Sequence, residues 1–285
     1  MPSTAAWCSP IRSRRTGRTT CAASPRRSWR ARPMAERPLI EARRITFGYG
    51  AETVLEDVTL AIDPGDFLAI IGPNGGGKTT LVKVLLGLLR PWSGEVIWNA
   101  PIRRGRMGYV PQFSTFDKGF PLRVSEVVLM GRMDRRRLLL PYTRQDRAAV
   151  AAVLERLGLT ALAREHVREI SGGQLQRVLI ARAVVAEPEI LFLDEPTASI
   201  DAESRDALTG LLEELNRRIP VVVITHDVTG LAPLVRRIAC VNRRLVCHEG
   251  AELDPHTLED AYGGPVELVT HGAVSGVAQR ILHRH

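Results

Sequence analysis

Eight consecutive residues, Gly72-Pro73-Asn74-Gly75-Gly76-Gly77-Lys78-Thr79, fit the pattern G-x-x-x-x-G-K-[ST], a loop suited to holding phosphate. The glycines let successive backbone N–H groups turn inward and approach phosphate oxygens closely. A helix starting directly after the loop adds the positive end of its dipole. In that pattern Lys78 reaches the β- and γ-phosphates and Thr79 holds a magnesium ion. Two further places carry groups suited to phosphoryl chemistry. Asp194-Glu195 ends the apolar run Ile190-Leu191-Phe192-Leu193, and His226 follows Val221-Val222-Val223-Ile224. One acid of the pair would bind magnesium, directly or through water, and the other would polarise an attacking water. The plain alternative for the acids is a surface pair, and for the histidine an ordinary loop residue. Ligands of open parallel sheets bind at the carboxyl ends of strands, so three apolar runs that each end in such groups argue for one site.

Two other stretches admit chemistry. Ser171-Gly172-Gly173-Gln174 reads as a capping box, Ser-x-x-Gln, opening a helix through Leu179 and Ala183. That leaves its glycines unexplained, since each costs helix stability by up to about 1 kcal/mol. Something must come close to that backbone, and a phosphate at a helix N-terminus would do so. Tyr49, in Gly48-Tyr49-Gly50-Ala51, is either an ordinary turn aromatic or a ring able to stack on adenine.

The elements that must position these groups follow from periodicity. Phe67-Leu68-Ala69-Ile70-Ile71 is a continuous apolar run and predicts a buried parallel strand before the loop. Leu81, Val82, Leu85, Leu88 and Leu89 predict a helix after it. Leu39 to Phe47 and Val54 to Ile62 alternate as strands, with a turn at residues 48–51 between them and another at Asp63-Pro64-Gly65-Asp66. Ser93-Gly94 predicts a turn into a strand at Glu95 to Trp98, and Met107 to Val110 predicts a short strand that leads to Gln112. Phe113 to Leu122 reads as a loop, Val124 to Met130 as helix, and Arg135-Arg136-Arg137 as a solvated charge run. Thr143 opens a helix with Val150, Val153, Leu154 and Leu157 on one face and Gly158 as its stop. Residues 113–170 thus read as a helical insertion in an α/β domain.

The 285 residues suit one large α/β domain, and the formal charge of +8 raises the question of a nucleic-acid partner. Its placement answers that question. Residues 1–33 hold eight arginines and neither lysine nor acid, which leaves 39 − 8 = 31 basic against 31 acidic residues in the rest. The body is neutral, and no nucleic-acid partner is expected. The arm, rich in Arg, Ser, Thr and Pro, reads as disordered. It has a transit-peptide composition, or it lies upstream of the true start at Met34. Cys8, Cys21, Cys240 and Cys247 form no C-x-x-C pair, which argues against a zinc site or disulfide framework and fits a reducing cytosol. No window of 18 apolar residues occurs, and no internal repeat is seen.

In this order, the phosphate loop, Gln112, Ser171 to Gln174, the Ile190–Glu195 strand and His226 resemble the ATP-binding subunit of ABC transporters, over roughly Leu39 to Leu245. The resemblance implies a P-loop NTPase with a RecA-like core (34–112 and 171–270), an antiparallel β subdomain, a helical subdomain (113–170) and a flexible tail (271–285). It implies ATP and magnesium as cofactors. It makes Tyr49 the adenine-stacking aromatic, residues 72–80 through Thr80 the phosphate contacts, and Gln112 the glutamine that senses magnesium and the membrane partner. Ser171 to Gln174 become the signature that contacts the γ-phosphate held by the opposite subunit. Asp194 is then the magnesium-associated acid, Glu195 the general base, Asp201 the acid of the loop that crosses the dimer, and His226 the γ-phosphate switch. Ile170 stands where the family usually has Leu, and Ala198-Ser199-Ile200-Asp201 replaces the commoner Ser-Ala-Leu-Asp.

Within that family, the phosphate loop together with Val110-Pro111-Gln112, Phe120-Pro121-Leu122-Arg123-Val124-Ser125-Glu126, Tyr262-Gly263-Gly264-Pro265 and His271-Gly272 resembles the zinc/manganese/iron-type importers. The expected partners are a second cassette in a homodimer, integral membrane permease subunits and, indirectly, a periplasmic or extracellular metal-binding protein. The expected place is the cytoplasmic face of the cell membrane. Five of seven histidines, His248, His256, His271, His283 and His285, lie in the last 38 residues, either as a metal-sensing tail or as scattered surface residues. The alternatives are an iron-siderophore or cobalamin importer, a DNA-repair or chromosome ATPase, a translation factor with paired cassettes, and a binding module without hydrolysis. The DNA-acting class resembles split cassettes with coiled coils or zinc insertions, and the ribosomal class has two cassettes; neither feature is present here. The binding module is disfavoured by the presence of both Glu195 and His226.

Overall fold

The computed structural model describes residues 37–99, 102, 106–112, 121–133, 141–198, 201–226, 228–250, 267–269 and 280–282. The basic arm with Met34, most of the 113–122 loop, Arg135 to Arg137, Tyr262 to Pro265, His271-Gly272 and the tail histidines His256, His283 and His285 lie outside the described residues.

The described residues open with an antiparallel sheet of β1 (Ile40–Tyr49), β2 (Glu52–Ile62) and β4 (Ser93–Trp98), ordered β2-β1-β4. Between β2 and β4 come β3 (Phe67–Ile71), the phosphate loop and helix α1 (Lys78–Leu85). β3 belongs to a second sheet, with β5 (Met107–Val110), β6 (Ile190–Asp194), β7 (Val221–Ile224), β8 (Arg237–Asn242) and β9 (Arg244–Glu249). Its order is β5-β6-β7-β3-β8-β9, parallel except for the antiparallel edge strand β9.

Every residue of β3, β6 and β7 is buried, because both faces of the sheet are covered. Alternation divides their side chains between two cores. Phe67, Ala69, Ile71, Leu191, Leu193, Val221 and Val223 face a helical layer. Leu68, Ile70, Ile190, Phe192, Val222 and Ile224 pack with α1 and the antiparallel sheet.

The helical layer consists of α2 (Val124–Leu129) with a 3-10 turn over Met130–Arg132, then α3 (Arg144–Arg156), α4 (Gly172–Val184) and α5 (Ala202–Asn216). Thr143 caps α3 in a reciprocal box with Asp146: Thr143 Oγ1 accepts from the Asp146 backbone N–H at 3.2 Å, and Asp146 accepts from the Thr143 N–H at 2.8 Å. Buried Asp146 also pairs with Arg132 at 3.3 Å, which ties α3 to the 3-10 turn. Val150, Leu154 and Leu157 are buried as the periodicity requires, and Gly158 ends the segment at φ 64.

Several boundaries differ from the sequence reading. Gly48 and Tyr49 continue β1, paired with Thr53 and Glu52, so the hairpin turn shrinks to Gly50-Ala51 with Gly50 at φ 59. Leu88 and Leu89 lie beyond α1: Gly87 at φ 70 breaks the helix and Leu88 is left 65% exposed. Ser93-Gly94 opens β4 rather than turning into it, and Met130 belongs to the 3-10 turn. β8 and β9 were not anticipated at all. In the region expected to be a tail, Arg280–Leu282 pairs antiparallel with Glu267–Val269 as β11 and β10.

Candidate active site

Sheet order brings the sequence-predicted groups together. Neighbouring parallel strands β5, β6, β7 and β3 end, side by side, in Gln112, Asp194-Glu195, Thr225-His226 and Gly72. The register is level: Val110 pairs with Leu193, Asp194 with Ile224, and Ile224 with Ile70. Residues more than 100 positions apart in the chain therefore share one edge.

The phosphate loop is fixed by close backbone packing. A side chain at Gly72 would strike the Val241 carbonyl of β8, and one at Gly76 would stand 2.8 Å from that same oxygen. Gly77, at φ 98, leaves room for only the Leu55 methyl and the Val54 carbonyl of β2. Gly76 N–H donates to Pro73 O at 3.1 Å, and Arg243 N–H to Gly76 O at 3.1 Å. Asn74 and Gly75 are exposed at the tip, and Pro73, Thr79 and Thr80 are half-buried. Buried Lys78 lies folded onto the loop, its Nζ donating to Gly72 O at 2.8 Å and Pro73 O at 2.9 Å.

Asp194 is the centre of a small polar network. Its Oδ2 accepts from Thr79 Oγ1 at 2.9 Å and from Tyr109 OH at 3.5 Å. Burial pushes the Asp194 carboxyl up from its ordinary range, against the Thr79 hydrogen bond and the Lys78 charge. Burial lowers the Lys78 ammonium, against the charges of Glu195 and Asp194. Tyr109 is pushed up to about 12 by burial and then by the Asp194 charge. Paired hard oxygens from Thr79 and Asp194 beside a cationic loop suit a magnesium ion carrying a phosphate ligand.

Glu195 and His226 meet directly, Nδ1 to Oε2 at 2.8 Å. Glu195 sits at φ 50, a left-handed conformation uncommon for a side-chain-bearing residue and typical of functional turns. Its side chain is mostly buried while His226 is exposed, so the carboxylate is held at the site from the outer side. Gln112, two residues beyond β5, is exposed. Tyr49 is 52% exposed at the end of β1, edge-on to Phe47 with ring centroids 5.1 Å apart. Its partner strand β2 packs against Gly77 through Val54 and Leu55, which attaches the hairpin to the loop.

The remaining candidates lie elsewhere. Ser171 caps α4 in the predicted box, its Oγ accepting from the Gln174 N–H at 3.2 Å and Gln174 Oε1 accepting from the Ser171 N–H at 2.9 Å. What crowds Gly173 is Ser204 of α5: an added Cβ would meet the Ser204 side chain. Half-buried Gly172 precedes it. Asp201 caps α5, accepting from the Ser204 N–H at 2.8 Å, and these bonds hold its carboxyl below the usual range. Among the described residues, no hydrogen bond or ion pair joins residues 171–174 to residues 72–80. Sequence reasoning missed Tyr109, Ser204 and Val241. Only Tyr109 left a signal, as a tyrosine in an otherwise apolar strand three residues before Gln112. Cys240 and Cys247 are free thiols; among the described residues, no His, Cys, Asp and Glu cluster is placed to hold a metal and no helix is long and apolar enough to cross a membrane.

Residues 55–198 match the model of the ABC transporter family. The zinc uptake system ATP-binding protein ZurA of Listeria innocua is 35% identical over 78% of this chain and 90% of its own. The zinc transport system ATP-binding protein TroB of Treponema pallidum is 37% identical over 80% and 88%. Among solved structures, a transporter assigned to the metal-chelate type, in an inward-facing conformation, superposes with a TM-score of 0.74 at 27% identity, covering 86% of this chain and 96% of its own. With the loop, the strand-end acids and the capped glycine turn all in place on a P-loop α/β fold, the chain belongs to the ABC transporter family as an ATP-binding cassette, an ATPase coupled to transport.

Proposed function

We propose that this chain drives uptake of a divalent metal, zinc or manganese, as one of two identical cassettes arranged head to tail on the cytoplasmic face of integral membrane permease subunits. The observation that supports the pairing is the separation of two phosphate-seeking features within one chain. The loop and strand-end acids form one site, while Ser171 to Gln174 have no bond to it. A second copy turned end for end would bring its glycine turn to the phosphates held by the first.

In this reading Tyr49 stacks on adenine, the 72–80 backbone cradles the phosphates, and Lys78 exchanges its two carbonyl partners for phosphate oxygens. Magnesium, held by Thr79 and Asp194 with Gln112 near it, would neutralise charge on the phosphates. Glu195 accepts a proton from the attacking water, and His226 orients Glu195 and senses the γ-phosphate. Catalysis is largely positioning and charge stabilisation. Asp201 lies at the crossing between subunits. Residues 113–170 serve as the helical subdomain that, with Gln112, passes the change to the permease, within a core of 34–112 and 171–270.

The metal assignment is supported by the zinc-uptake relatives. A second reading, import of an iron-siderophore or cobalamin, is favoured by the likeness to the metal-chelate type transporter. ATPase activity of the reconstituted complex with loaded binding proteins separates the two. Stimulation by zinc- or manganese-loaded protein is expected. Stimulation by a siderophore-loaded protein alone would overturn the metal-ion reading.

A further inference from the structure

The Ser171–Gln174 turn has no room for a side chain at Gly173, and the obstacle belongs to the same chain. A Cβ there would run into the Cβ and Oγ of Ser204, third residue of α5. Ser204 is itself held by Asp201, whose carboxylate accepts from the Ser204 N–H at 2.8 Å and from Ser204 Oγ at 3.0 Å. One turn on, α5 grips the segment after His226. Thr209 Oγ1 shares its one proton between Arg205 O at 3.0 Å and Gly230 O at 3.3 Å, and a Cβ at Gly230 would lie 3.1 Å from Arg205 Cδ. The first two turns of α5 therefore touch the glycine turn, the Asp201 cap and the His226 segment at once. Close-packed contacts of this kind move as units rather than deform.

We propose that Ser204 is a positioning residue: it keys α5 into the notch left by Gly173, so that Asp201, Ser171 to Gln174 and the segment after His226 shift together when two cassettes close. This rests on the reading that the glycine turn meets a nucleotide, and adds that the absence of a side chain at Gly173 serves a neighbour within the chain. If only an incoming phosphate required the glycine, Ser204 would be irrelevant to it.

A space exchange tests this, with steady-state ATPase of the full chain in complex with its permease. Gly173→Ala is expected to lower kcat about tenfold by overpacking against Ser204. KM for ATP should change less than about twofold, because the phosphate loop is untouched. Ser204→Gly opens the notch, and the double variant Gly173→Ala/Ser204→Gly is expected to return within about threefold of Ser204→Gly alone. A double variant no better than Gly173→Ala overturns the proposal. Ser204→Val fills the notch from the other side with Gly173 intact and is expected to lower kcat about tenfold at unchanged KM; wild-type kcat there also overturns it. Ser171→Ala tests the underlying reading separately. Unchanged ATPase in that variant removes the nucleotide role of the turn, whatever the exchange pair shows.

Discussion

At the scale of single residues, the site is a set of charged and polar groups brought together by where their strands stop. Glu195→Gln keeps the geometry but removes the proton acceptor. Turnover is expected to fall at least about 100-fold while ATP binding persists, with an ATP-bound dimer accumulating in light scattering; near-normal turnover would remove Glu195 from its role. Asp194 makes a different point, because burial raises its carboxyl in the folded protein. A raised acid gives stability that is present below the unfolded value and lost as pH rises through the folded one. Asp194→Asn should therefore melt at a higher temperature than wild type in the nucleotide-free protein at pH 7, with the advantage shrinking towards pH 4, while ATPase is lost. A lower melting temperature at pH 7 would show that the Thr79 and Lys78 contacts outweigh burial. Most of these residues were legible because each ended a continuous apolar run. Ser204 was not, because its relation to Gly173 spans two helices and no local pattern encodes it.

At the scale of elements, the strands that carry chemistry were the readable ones. β3 and β7 have the bounds their apolar runs predict, and β6 extends its run by Asp194, since full burial leaves no ambiguity of face; β5, buried only at alternate residues, also has its predicted bounds. β8 hid behind Arg237 and Asn242, polar ends that mask a short buried centre, and β9 is an edge strand with no buried residue to mark it. Tyr49 misled in the opposite sense: a Gly-Tyr-Gly triplet reads as a loop, yet only Gly50 needs the left-handed backbone. The helical layer depends on a few polar ties. Asp146 is buried and takes bonds from Thr143 and Arg132. Asp146→Ala is expected to cost about 2 kcal/mol in urea unfolding by removing the carboxylate half of the capping box and one partner of Arg132. A loss below about 0.5 kcal/mol, within the range of an ordinary surface change, would show that the tie is not structural.

At the scale of the molecule, charge and core occupy different parts of the chain. The excess of arginine lies before Met34, and every described buried apolar residue lies at or beyond Pro38. A chain starting at Met34 is expected to match the full chain in thermal midpoint and ATPase; a marked loss of either would give the arm a structural part. The strand order carries a further consequence, for synthesis. β3 is flanked only by β7 and β8, with Phe67 opposite Val221 and Ile71 opposite Cys240. A ribosome releases the phosphate loop early, but the strand beneath it has no neighbour until about 150 residues later. The antiparallel sheet, with all three strands inside Ile40–Trp98, is complete long before. A chain interrupted anywhere between Asp194 and Val221 would carry the whole phosphate loop on an unpaired apolar strand, a substrate for chaperones rather than for ATP.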